Sequence, residues 1–311
     1  MIAVFLQTLP FFALIGLGFG AAKRGFFSEQ ASAALTRFVF YFALSAMLLR
    51  FSSRLDLAAV WDRNLVLAYL AGTAAVYLAG FGVALLRRRG LEEAAVEGQC
   101  AAIGNTGFLG VPMLTTIFGE AAIGPVMLAL AVDLIVFSSL IVILITARRD
   151  GRVRLATLGA VGRGLVANPM IMSIAVGLGW SATGVPLPGP VDATLALLGA
   201  AATPGALFAI GASLAARSAE RISVAAWLSF AKLVLHPAAV ALMVLVLIPV
   251  EPFAAGMLIA TAAMPVAGNV YILAQHYGVA PQRVSASILI STAAAVVTLS
   301  YVIARVMVFT G

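Results

Sequence analysis

Charge is what this sequence has least of. Only 10% of its 311 residues are Asp, Glu, Lys or Arg, while 63% are hydrophobic; an ordinary soluble domain carries about a quarter and about half, respectively. A mean hydropathy of +1.10 leaves too little polar surface to coat a water-soluble globule of this length. The expected class is therefore an all-α polytopic membrane protein. The single cysteine, Cys100, excludes an internal disulfide and a cysteine-based metal cluster. Histidine is nearly absent as well, with two in the chain. Asp133 is the only acidic residue well inside an apolar run, which excludes the paired aspartates of an intramembrane protease. No phosphate-cradling loop carries a lysine, and no nucleophile has an evident base. Neither an enzyme nor a cofactor or metal is expected. The formal charge of +7 and the pI near 10.2 would suggest nucleic acid for a soluble chain. In a membrane protein basic loops explain the same excess, so no nucleic-acid partner is expected.

Bilayer-spanning helices need about 20 mostly apolar residues, fewer where a helix is broken and buried. Windows of that kind lie near 2–22, 31–51, 64–86, 95–118, 122–147, 164–181, 190–215, 222–248, 253–277 and 284–309. Ten spans follow. The first has no basic residue before Lys23 and no evident cleavage site after it, and reads as a retained helix. The odd connections hold Lys23, Arg24, Arg87, Arg88, Arg89, Arg148, Arg149, Arg152, Arg154, Arg163, Arg217, Arg221 and Arg283; the even ones hold only Arg50, Arg54 and Arg63. Because Lys and Arg resist translocation, the odd connections are expected in the cytoplasm and both termini outside. A bacterial-type inner (plasma) membrane is the expected location.

Shifting the chain on itself by 159 residues lays Pro10 on Pro169, Gly18 on Gly177, Gly20 on Gly179, Gly119 on Gly278 and Ala121 on Ala280. One offset thus aligns the first span with the sixth and the fourth with the ninth. Two repeats are expected, 1–155 and 156–311. Five helices per repeat is an odd number, so the second inserts upside down, as in secondary transporters.

The fourth and ninth spans are poor continuous helices. Gly104-Asn105-Thr106-Gly107-Phe108-Leu109-Gly110-Val111-Pro112 interrupts one, and Met264-Pro265-Val266-Ala267-Gly268-Asn269 the other. Glycine is flexible, and proline lacks an N–H and clashes backward. Paired interruptions at equivalent places point to a transporter binding site, because an unwound segment exposes backbone polar groups at mid-membrane depth. The half-helix that follows offers a partly positive N-terminus to an anion. Asn105, Thr106, Gly107, Pro112, Pro265 and Asn269 are the candidate binding residues. Asp133, Lys232 and His236 are the ionisable groups expected at membrane depth, where charge is costly and marks function or an ion pair. Asp133 could couple transport to a proton, or Lys232 could be its permanent partner. Arg37 and Arg305 lie near helix ends and are expected to snorkel. Gly16, Gly18 and Gly20 are expected to allow close helix packing. Thr203-Pro204-Gly205 reads equally as a kink or as a second local opening.

The stretches GNTGFLGVPML and AMPVAGNVYILAQHYG, the Lys-x-x-x-x-Pro pattern of Lys232 to Pro237, and Asn168-Pro169 resemble the auxin efflux carrier family. The resemblance covers essentially the whole chain. It implies a ten-helix inverted repeat similar to bile-acid symporters and sodium/proton antiporters. Helices one, two, six and seven would form a scaffold, and the rest a moving transport domain. The fourth and ninth helices would cross at Pro112 and Pro265, with a carboxylate near Asn105. The expected function is transport of small organic anions by alternating access, with a proton and a second copy of the chain as candidate partners. A sodium-coupled bile-acid-type symporter and a non-transporting sensor on the same fold are the alternatives. The long loop of plant members is absent, so regulation by kinases does not carry over.

Overall fold

The computed structural model describes residues 2–55, 62–150, 155–215 and 222–310. Arg152, Arg154, Arg217 and Arg221 lie outside the described residues. Helices α1 (Ile2–Lys23), α2 (Glu29–Ser52) and α3 (Arg63–Leu86) come first. The short helices α4 (Leu91–Ala102) and α5 (Thr106–Phe118) follow, then the long α6 (Glu120–Arg149). Helices α7 (Leu155–Ala167) and α8 (Pro169–Ser181) meet at a bend of 70°. Then come α9 (Gly189–Ala215), α10 (Ile222–Leu247), α11 (Pro252–Ala262), α12 (Gly268–Tyr277) and α13 (Pro281–Thr310). No strand occurs among the described residues.

Seven of these helices are long and apolar enough to cross a membrane alone, and eight if the bent pair counts as one. The apolar windows at 95–118 and 253–277 are instead each divided into two short helices, as their glycines and prolines require. The chain is a multi-pass membrane protein.

Local chemistry sets the helix ends. The side chains of Asp62 and Asn168 accept hydrogen bonds from the exposed first-turn N–H groups of α3 and α8. Pro169 opens α8 with its fixed φ, so Asn168-Pro169 is both the cap of one helix and the bend from the last. Glu251 and Pro252 start α11 in the same way. At the other end, Gly119 and Gly278 take φ of 78° and 66° to close α5 and α12.

Glycine decides where helices touch. A Cβ on Gly18 would stand 2.1 Å from the carbonyl oxygen of Phe208, and one on Gly211 1.9 Å from that of Ile15, so α1 and α9 pack backbone to backbone. Gly16 and Gly20, expected to share that role, face open space; they sit on the other side of α1. In the Thr203-Pro204-Gly205 segment a Cβ on Gly205 would meet Val39 of α2 at 2.8 Å. That segment packs a helix and opens no site. Gly98 similarly lets α4 lie against Tyr77 of α3.

Two sequence expectations about basic residues change. Arg163 lies within α7, not in a connection. Arg283 stands in the first turn of α13 and is buried, its side chain only 5% exposed, between Glu93 and Glu97. Glu97 also pairs with Arg87. Arg37 and Arg305 are exposed, as snorkelling side chains should be.

Candidate functional site

The two interrupted segments cross and complete each other's backbone. The N–H of Asn105 donates to the carbonyl of Pro265 at 2.8 Å, and the N–H of Ala267 donates to Ile103 at 3.1 Å. Gly104 and Val266 thereby form a single antiparallel bridge. Val266 N–H donates to the hydroxyl of Ser291 on α13 at 3.1 Å. Buried backbone groups require partners, and these bonds supply them where no helix can.

The crossing leaves the N-termini of α5 and α12 beside it, each with first-turn N–H groups that a helix cannot satisfy itself. In α5 the carbonyl of Asn105 accepts from both Leu109 and Gly110, a widened turn that follows the break directly. The side-chain amide of Asn105 lies at this break and is only 8% exposed. The Oδ1 of Asn269 is buried and unpartnered among the described residues. The first-turn N–H groups of the two helix N-termini, with the Asn105 amide beside them, form a small polar place in an apolar surround, to which Asn269 Oδ1 adds an acceptor. Gly107 faces Met170 of α8, where a Cβ would lie 2.4 Å from the methyl carbon. Phe108 stacks on Phe40 of α2 with ring centres 6.0 Å apart. Pro112 sits one turn inside α5 and Pro265 within the break, so only Pro265 is at the crossing itself. The resemblance-based expectation that both prolines mark the crossing is corrected for Pro112. The physical reason is that the chain is already helical from Thr106.

Asp133, Lys232 and His236 are all fully or nearly fully buried next to the crossing. Thr106 donates to Asp133 at 3.4 Å, and the Tyr69 hydroxyl of α3 donates to its two oxygens at 3.2 and 3.3 Å. The ammonium of Lys232 donates to the carbonyl of Ala262 at 2.5 Å and lies 2.9 Å from His236 Nδ1. His236 Nε2 in turn lies 3.0 Å from the hydroxyl of Thr73. A Cβ on Gly104 would stand 3.1 Å from the Lys232 ammonium, so glycine there makes room for the lysine. Lys232 and Asp133 form no direct salt bridge among the described residues, although their charges lie close enough to act on each other. Neutral donors serve the aspartate, while the carbonyl at the C-terminus of α11 serves the lysine, where a helix end favours a cation.

Asp133 and Lys232 also share a backbone feature. Each lies in a widened turn in which a carbonyl accepts from the fifth residue onward: Asp133 from Ser138, and Ala231 from His236. Pro237, without an N–H, accounts for the second. Such turns re-aim side chains and gather at functional places. Tyr69 and Thr73 were not anticipated, because a tyrosine and a threonine in an apolar span read as packing. Their spacing of four along α3 puts both on one face and was the available signal.

The fold and site define a class: a multi-pass helical membrane protein in which two broken helices cross beside buried ionisable groups. The chain belongs to the membrane transport protein family of the auxin efflux carriers, whose sequence profile matches residues 3–303. It is 30% identical over 296 residues to a Rhizobium meliloti (strain 1021) protein described as "Putative malonate transporter", covering 94% of this chain and 92% of that one. It is 28% identical over 302 residues to the "Uncharacterized transporter YfdV" of Escherichia coli (strain K12), covering 94% of each. The same figures hold for the YfdV of Shigella flexneri. Family and relatives point to transport and away from catalysis.

Proposed function

We propose that this protein carries small organic anions across the membrane by alternating access, with the carboxylate bound at the crossing. The observation that carries the reading is the crossed pair of broken helices, which brings two helix N-termini and the buried Asn105 together beside one crossing. A carboxylate accepts hydrogen bonds from several donors at once, and the N-termini of α5 and α12 add favourable dipoles. The backbone N–H groups of Thr106 and Gly107 complete the donor set, the Thr106 hydroxyl being engaged by Asp133. The malonate named for one relative makes short dicarboxylates the first substrates to try.

In this reading the ten apolar segments form two inverted five-helix repeats, 1–155 and 156–311. The ends of the half-helices keep the 159-residue offset that the sequence carries, Gly119 after α5 and Gly278 after α12. Helices α1, α2, α8 and α9 are the scaffold. Helices α3 to α6 and α10 to α13 move against it, sliding the crossing past Phe40 and Met170. Both termini face outward, and the connections rich in Arg face the cytoplasm of a bacterial-type inner membrane. An exported anion is driven by the inside-negative potential, worth about 2.3 kcal/mol per charge per 100 mV. Proton linkage through Asp133 is favoured over sodium. Lys232 already places a positive charge on the Ala262 carbonyl, where a bound cation would otherwise go.

The test is uptake into proteoliposomes with labelled mono- and dicarboxylates under imposed pH, sodium and voltage gradients. Gradient-dependent flux of at least one carboxylate is expected. Asn105→Ala should weaken its apparent affinity about ten-fold or more, since hydrogen bonds to a charged group are worth about 1.5–3 kcal/mol, with the unfolding temperature nearly unchanged. A folded preparation that moves no carboxylate would sink the reading, and an unaltered affinity would remove Asn105 from the site.

A further inference from the structure

A sizeable groove lies away from the crossing. It holds about 1080 Å³, runs along the outer surface of α10, α11 and α13 and reaches α1 at Phe5. Pro237, Leu245, Val297 and Phe309 line its apolar length. Its one charged residue is Arg305, at one end, with the Tyr301 hydroxyl a turn away. Arg305 is exposed and has no hydrogen bond or ion pair among the described residues. It lies five residues before Thr310, the end of α13, so its side chain reaches the interfacial depth of the membrane. The Ser300 hydroxyl on the groove wall is 2.7 Å from that of Thr8, joining α1 to α13 beneath the groove floor.

From this geometry we infer a binding site for an anionic glycerophospholipid, its acyl chains in the groove and its phosphate on Arg305. A long apolar channel with one unpaired cation at headgroup level is complementary to an amphiphile whose single charge is negative. The volume lies just above the range of ordinary ligand sites, about 300–1,000 Å³, and suits a chain-like occupant. A soluble anion would find one cation and no other donor cluster. A second copy of the protein docking here about a two-fold axis would bring Arg305 toward its own image, with no acid in the groove to meet it. A bound lipid would bridge α1 to α10 and α13 and so stiffen the seam between them.

Native mass spectrometry of the full-length protein in mild detergent tests this, with equimolar phosphatidylglycerol and phosphatidylcholine of identical acyl chains. Wild type should retain phosphatidylglycerol in preference. Arg305→Gln should lower that retention about five-fold, the value of one surface-level cation, and leave phosphatidylcholine unchanged. Val297→Trp, which fills the groove and keeps the cation, should lower both. Arg37→Gln, an exposed cation on α2 away from the groove, should change nothing. Equal retention of the two lipids, an Arg305→Gln protein that binds like wild type, an equal loss in Arg37→Gln, or a dimer lost in Val297→Trp in place of bound lipid would each overturn the proposal.

Discussion

The molecule buries charge in two places and treats it in opposite ways. Midway along α4, Glu97 is 1% exposed and is met by two cations, Arg87 and Arg283. Beside the crossing, Asp133 and Lys232 are equally buried, yet each is satisfied by neutral groups: Tyr69 and Thr106 for the one, His236 and a carbonyl for the other. A buried ion pair needs both partners charged, because removing one strands the other in a low dielectric. Hydroxyls and carbonyls make no such demand. They remain partners when the group beside them gains or loses a proton. The first cluster is built to hold α3, α4 and α13 together, and the second to tolerate a change of charge.

Breaking the first cluster should have the largest effect on stability. Glu97→Ala leaves Arg283 with Glu93 alone and Arg87 without its partner. A loss of about 3–5 kcal/mol is expected, read as a lowered unfolding temperature in detergent. Glu97→Gln should lose less, because its amide oxygen still accepts from Arg283. If the alanine variant unfolds at the wild-type temperature, the cluster is not what joins these helices.

This cluster was poorly legible in the sequence, for a definite reason. Arg283 reads as part of a connection, and nothing singles out Glu97, two residues inside the window 95–118. Their partnership spans 186 positions of chain and has no local signature. The two breaks were legible, because glycine and proline cost energy in any helix wherever it packs. Asn168-Pro169 carries the cap and bend of α8, but in the sequence it stands only as a mark of the family, inside one span drawn over 164–181. The partners of Asp133 were not legible, since a tyrosine in a span looks like packing until its hydroxyl is seen to face a carboxylate. Lys232 was found as a buried charge on one face with His236, which it meets at 2.9 Å; its hydrogen bond to the Ala262 carbonyl had no signature in the sequence.

The second cluster gives a different prediction. Asp133→Asn keeps the shape and one acceptor oxygen for Tyr69, with the Thr106 hydroxyl able to turn and accept from the new amide, but removes the titrating carboxyl. The variant should unfold at a temperature closer to wild type than Glu97→Ala does, and should lose most of the pH dependence of its flux in proteoliposomes. A variant that transports with an unaltered pH profile would place proton coupling elsewhere and reduce the contrast between the clusters to one of packing.

The smallest expected effect tests whether the crossing is held as rigidly as the helix contacts elsewhere. At Gly211 a new Cβ would strike the Ile15 carbonyl at 1.9 Å, and backbone cannot move aside cheaply. At Gly107 it would strike the methyl of Met170 at 2.4 Å, the free end of a flexible side chain. Gly107→Ala also gains about 1 kcal/mol of helix propensity in α5, which offsets the displacement of that methyl. Its stability should therefore stay within about 1 kcal/mol of wild type, whereas Gly211→Ala should be clearly destabilised. Transport offers the sharper reading. Met170 belongs to the helix past which the crossing is proposed to slide, so pressing on it should slow flux without changing the unfolding temperature. Combining Gly107→Ala with Met170→Ala removes the obstruction and should restore the rate. If the double variant stays slow while remaining folded, the glycine serves the widened turn after Asn105 and not the passage past α8.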